Sequence, residues 1–93
     1  MVVGTLRLSL LLRGCRSLKE KRRVVRGLKD RVRARFNVSV AEVDAQESHQ
    51  RAEIGVAMVS NDGVHITTVF HKVVDVTRFL RGAELLDYEV EIL

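Results

Sequence analysis

The spacing of apolar residues changes period along this chain, and that change limits the folds open to it. From Val2 to Leu12, the residues Val2, Gly4, Leu6, Leu8, Leu10 and Leu12 alternate with Val3, Thr5, Arg7, Ser9 and Leu11. A period of two belongs to a strand with one buried face. After a turn at Arg13 to Arg16, Leu18, Val25, Leu28, Val32 and Phe36 recur at helical spacing, the stripe by which an amphipathic helix packs on a core. Ser17 and Glu20 have the spacing of a capping box and mark where that helix starts.

The switch then repeats. Val38 to Ala45 and Arg51 to Ser60 are rich in Val, Ala and Ile on either side of polar Gln46 to Gln50, which predicts two strands of a hairpin. Asn61, Asp62 and Gly63 form a turn and cap. Ile66, Val69, Phe70, Val73, Val76, Thr77 and Leu80 share one side of a second helix, with His65, Thr68, His71, Lys72 and Asp75 opposite. Gly82 suits the C-terminal cap of that helix. Tyr88, Val90 and Ile92 alternate with Asp87, Glu89 and Glu91 in a closing strand. The order is βαββαβ. Ninety-three residues suffice for one core of two layers, so residues 1–93 are expected to form a single domain. Both helices need cover on one face only, which predicts an α+β, ferredoxin-like fold: a four-stranded antiparallel sheet with two helices on one face.

Charge is distributed unevenly over these elements. Arg16 to Arg35 holds ten basic residues against Glu20 and Asp30, a local +8, while the remainder of the chain is −4. A helix N-terminus carries about half a positive charge and favours acids. Here Lys19, Lys21, Arg22 and Arg23 crowd it, and Lys19, Arg22, Arg23 and Arg26 repel one another at three- and four-residue spacing. Stability alone does not select such a pattern; a polyanion would. The expected phosphate contacts are Lys19, Lys21, Arg22, Arg23, Arg26 and Arg33, with Arg13 and Arg16 in the preceding loop as anchors. Lys21 projects nearest the apolar side, where its stem can run along the core. Gly27 projects onto the basic side, as a neutral surface residue or as a place where the missing side chain lets another backbone approach.

The sheet face away from the helices is predicted to expose Thr5, Arg7, Ser9, Glu42, Asp44, Glu53, Glu89 and Glu91. RNA-recognition motifs of this topology stack bases on sheet aromatics. This chain has one Tyr and three Phe, none in the first or third strand. An acidic face suits a basic protein partner instead, with Glu42, Asp44 and Glu89 as contacts, or a homodimer.

Catalytic signals are weak. Cys15 lies beside Arg16 near a helix start, a setting that can lower a thiol pKa. His49, His65 and His71 match no metal-ligand spacing. No cofactor, metal or enzyme activity is expected. No apolar run approaches the roughly 20 residues of a membrane span. The first residues lack the basic segment of a signal peptide, so a cytoplasmic location is expected.

The run Ser17-Leu18-Lys19-Glu20-Lys21-Arg22, the strand Phe36 to Asp44, and Ala52 through Asp62 together resemble the YlxP-like family of small bacterial proteins. The resemblance implies a ferredoxin-like fold and no established biochemical activity. The family's genes commonly neighbour those for transcription elongation, translation initiation and ribosome maturation, which implies RNA or a ribosomal particle as partner. A competing expectation comes from acylphosphatases, which share the topology and hold an acyl phosphate with a loop Arg and an Asn. Arg13 or Arg16 with Asn61 would fill those roles here, although the characteristic loop sequence is absent.

Overall fold

The computed structural model describes residues 1–93. Its elements follow the expected order: β1 (Val2–Leu11), α1 (Leu18–Arg35), β2 (Ser39–Asp44), β3 (Arg51–Ser60), α2 (Gly63–Arg78) and β4 (Glu84–Ile92). The sheet order is β2-β3-β1-β4, and every neighbouring pair is antiparallel. Both helices lie on one side of the sheet, and the ferredoxin-like expectation holds.

Side-chain alternation decides which face the helices cover. Leu6, Leu8 and Leu10 of β1 are opposite Val56, Ile54 and Ala52 of β3, and all six are buried. α1 adds Val25, Leu28 and Val32, and α2 adds Ile66, Val69, Phe70, Val73 and Val74, closing one core of 19 residues. The fit is tightest at Gly4, where a Cβ would come within 2.5 Å of Ile66 Cγ2 and 3.1 Å of Phe70 Cε2. Only a residue without a side chain lets α2 sit this close to β1.

Two local features depart from the sequence reading. β4 begins at Glu84, earlier than alternation shows, because the register shifts where Ser9 faces Asp87 and Leu10 faces Leu85, leaving Leu86 as an extra residue. Gly82 is not the helix cap, a place taken by Phe79; its φ of +90° instead serves the turn into β4. Gly27 faces open space.

Candidate nucleic-acid interface

α1 starts where Ser17 Oγ accepts from the Glu20 backbone N–H at 3.2 Å. The Glu20 carboxylate turns back to accept from the Arg16 N–H, one residue before the box position. Arg13 makes an exposed ion pair with Glu84 at 3.3 Å. In the loop from Arg13 to Ser17 one guanidinium and one backbone N–H are thus held by carboxylates, while the Arg16 guanidinium has no ion-pair partner. Arg13 and Arg16 remain solvent-accessible, and an exposed pair of this kind is worth only about 0–1 kcal/mol.

The unpaired cations of α1 lie further along. Lys19, Arg22, Arg23 and Arg26 are all exposed, and none makes an ion pair or side-chain hydrogen bond. Spaced three and four residues apart, they form a ridge about two turns long on the side of α1 away from the sheet. Arg33 continues it, with its guanidinium donating to the Val40 carbonyl at 2.9 Å, so one of its faces is committed to β2.

Lys21 does not belong to this ridge. It lies four residues before Val25 and seven before Leu28, on the core stripe, and is 1% exposed. Its Nζ donates to the carbonyls of Ala45 and Ser48, each at 2.6 Å, and lies 2.7 Å from Glu42 Oε2. The carboxylate contact is an ion pair off hydrogen-bond geometry, since that oxygen has no hydrogen-bond partner. Lys21 thus clasps α1 to the end of β2 and the β2–β3 turn, and phosphate cannot reach it. Ala45 sits in this turn at φ 60°, a left-handed conformation that a non-glycine residue adopts only when held.

Glu42 is the second correction. It pairs with core-facing Ile54, so it points under α1 rather than onto the open face. The register shift after Glu42 makes Val43 the extra residue, and Val43 covers Gly55, where a Cβ would meet Val43 Cγ1 at 2.7 Å. Asp44 and Glu89 do lie on the open face. Asp44 and Glu53 flank Arg7 at 3.5 and 3.4 Å, Ser9 Oγ donates to Glu53 at 2.9 Å, and Glu89 is the β4 neighbour of Arg7. This centre is acidic around one arginine, with Val3, Val43, Ala57 and Val59 toward one end.

Catalysis gains no support from geometry. Cys15 is buried, and its burial, with Glu20 nearby adding to the effect and Lys21 opposing it, raises the thiol pKa above the ordinary 9.0, opposite to the direction expected of a nucleophile. Val2 pairs with Ser60 and Leu11 with Arg51, so Asn61 and Arg13 lie at opposite ends of β1. At about 3.3 Å per residue that separation is roughly 30 Å, and the two cannot share one acyl phosphate. No three His, Cys, Asp or Glu side chains converge as a metal site.

One cavity, of about 490 Å³, was not foreseen. It lies between α1 and α2 and is lined by Arg31, Arg35, Lys72 and the 85% exposed Phe79. A signal existed: Phe79 is a large apolar residue off the stripe that Phe70, Val73, Thr77 and Leu80 define.

The model of the family described as "Protein of unknown function (DUF503)" matches residues 3–90. The chain belongs to this family. Over 48 residues the DUF503 chain is 46% identical to "Uncharacterized protein YlxP" of Bacillus subtilis (strain 168), a match spanning 52% of each protein. The resemblance to YlxP-like proteins is therefore correct. Among solved structures, the de novo designed protein Foldit4 superposes with a TM-score of 0.60 at 16% identity, over 100% of this chain and 97% of that one. A crystal structure named for a chlorite dismutase, TA0507, reaches 0.50 at 15% identity, over 99% of this chain and 44% of that one. At such identities the DUF503 chain shares the fold alone. No helix is long and apolar enough to cross a membrane.

Proposed function

We propose that this protein binds RNA, free or within a ribosomal particle, through phosphate contacts from the exposed face of α1, without catalysis. One observation carries the reading: Lys19, Arg22, Arg23 and Arg26 stand together in solvent with no acid paired to any of them. Clustered, unpaired cations raise the local potential and destabilise the free helix, and a polyanion relieves both. Arg outnumbers Lys twelve to four, and its planar fork engages phosphate oxygens in pairs. Arg16 and Arg33 extend the ridge at its two ends, and Arg13 can exchange Glu84 for a phosphate.

Neutralising four to six phosphates gives a log–log salt slope on the order of −3 to −5. The test is an RNA-binding titration across salt concentrations with the wild type and an Arg22→Gln, Arg23→Gln, Arg26→Gln variant. The variant should bind all RNA sequences more weakly and with a shallower slope. Affinity that is flat with salt would exclude the reading.

A second reading rests on the open sheet face, where Asp44, Glu53, Asp87, Glu89 and Glu91 surround Arg7. Such a face complements a basic protein or a second copy of this chain. Loss of a partner on changing Asp44 and Glu89, with the helix bases left intact, would favour it.

A further inference from the structure

The ridge on α1 explains phosphate contact but leaves Phe79 unexplained. A phenylalanine 85% exposed at the end of α2 gains nothing from the core, and it lines the cavity between α1 and α2. Ala34 and Val76 contribute its apolar lining beside Phe79. Arg31, Arg35 and Lys72 line the walls, and none of the three has an ion-pair partner. The Arg35 guanidinium is held 5.3 Å over the Phe36 ring, which fixes a cation at the α1 side of the groove. Asp75, the one acid of the lining, is able to accept from the exocyclic amine of a base.

An exposed aromatic flanked by unpaired cations in a groove is the arrangement by which proteins take single-stranded nucleic acid: bases stack on the ring while cations follow the backbone. A duplex cannot use it, because its bases are already stacked and paired. We infer that the groove between α1 and α2 binds single-stranded nucleic acid, with one base stacked on Phe79 and the adjoining phosphates held by Arg31, Arg35 and Lys72. The inference rests on the polyanion reading of α1 and sharpens it. The ridge supplies attraction to any polyanion, and the groove supplies a preference for unpaired strands.

The chain has no tryptophan, so Phe79→Trp would install a single fluorescent reporter at the stacking position, and Phe79→Ala would remove the ring without touching the core. The experiment measures anisotropy of a labelled RNA oligonucleotide as single strand and as duplex, with single-stranded DNA of the same sequence as a third arm. Phe79→Ala should weaken single-strand binding roughly 5- to 100-fold, leaving duplex affinity and the salt slope unchanged. Phe79→Trp should keep wild-type affinity and be quenched on binding either single strand, the tighter of RNA and DNA identifying the sugar accepted. Three results would overturn the inference: single-strand affinity unaffected by Phe79→Ala, binding without quenching, or poly-glutamate binding that depends equally on Phe79. Weakening by the triple Arg→Gln variant alone would reject the groove while retaining the ridge. No binding of any nucleic acid would reject both.

Discussion

Replacing Lys21 by Met is the most direct test of the clasp. Methionine keeps the buried stem but removes the ammonium, and with it the hydrogen bonds to Ala45 O and Ser48 O and the ion pair with Glu42. Breaking a buried ion pair from one side costs about 3–5 kcal/mol, because the other charge is left without compensation. Glu42 keeps 19% of its side chain exposed and can turn toward water, which reduces that figure to about 2–3 kcal/mol. Ala45 O still accepts from the Ser48 N–H at 3.0 Å, so only Ser48 O loses its sole donor. That adds about 1 kcal/mol. The expected loss is therefore about 3–4 kcal/mol, or a fall in Tm of roughly 12–30 °C for a domain of this size. Equilibrium urea denaturation and calorimetry measure both. Adding Glu42→Gln removes the stranded charge and should return about 1–2 kcal/mol. A loss below about 1 kcal/mol, or a double variant no more stable than the single one, would refute the clasp as a stabilising element.

Two glycines should respond in opposite senses to alanine. Gly4→Ala forces a methyl against Ile66 and should cost about 1–3 kcal/mol, whereas Gly27→Ala meets open space within a helix and should gain about 0.5–1 kcal/mol; urea midpoints compare them. The triple change at Arg22, Arg23 and Arg26 relieves like-charge contacts along α1, so it should raise stability by about 1 kcal/mol and Tm by about 4–8 °C even as it weakens RNA binding. A calorimetric scan showing a lower Tm would contradict that account. Cys15 has a raised thiol pKa in the folded protein, so above pH 9 the unfolded chain releases the proton first. Its contribution to stability is thus complete below about pH 9 and is lost as pH rises through the folded value. Cys15→Ala should flatten this alkaline decline, and the wild-type thiol should react slowly with a disulfide reagent until the protein is unfolded.

The periodic elements were legible in the sequence, since Leu6, Leu8 and Leu10, or Val25, Leu28 and Val32, can bury one face in only one way. Lys21 was legible by position but not by residue type: its spacing to Val25 puts it on the core stripe, while its charge assigns it to the surface. The conflict resolves only when β2 and its turn bring a carboxylate and two carbonyls to the ammonium, partners 21 to 27 residues away that no local pattern reports. Glu42 was assigned to the wrong face for a related reason. It shares the core-facing side with Val40, and the register shift after it puts Asp44 on the other face, a split that a Val-rich strand does not mark in its sequence. The groove at Phe79 is formed by two helices meeting, so Arg31 and Lys72 become neighbours of one cavity only in three dimensions.

Charge in this molecule is segregated by layer, and the clasp preserves the segregation by hiding one lysine against one glutamate. The helices carry Lys19, Arg22, Arg23, Arg26, Arg31 and Lys72 outward, while the far side of the sheet carries Asp44, Asp87, Glu89 and Glu91. A body charged in this way has a permanent moment across its thin dimension. In the field of a polyanion it experiences a torque that turns the helices forward before any contact is made, so a larger share of collisions begins in a productive orientation. A strand held on the helices would leave the acidic sheet facing outward, free to meet a basic surface on the other side.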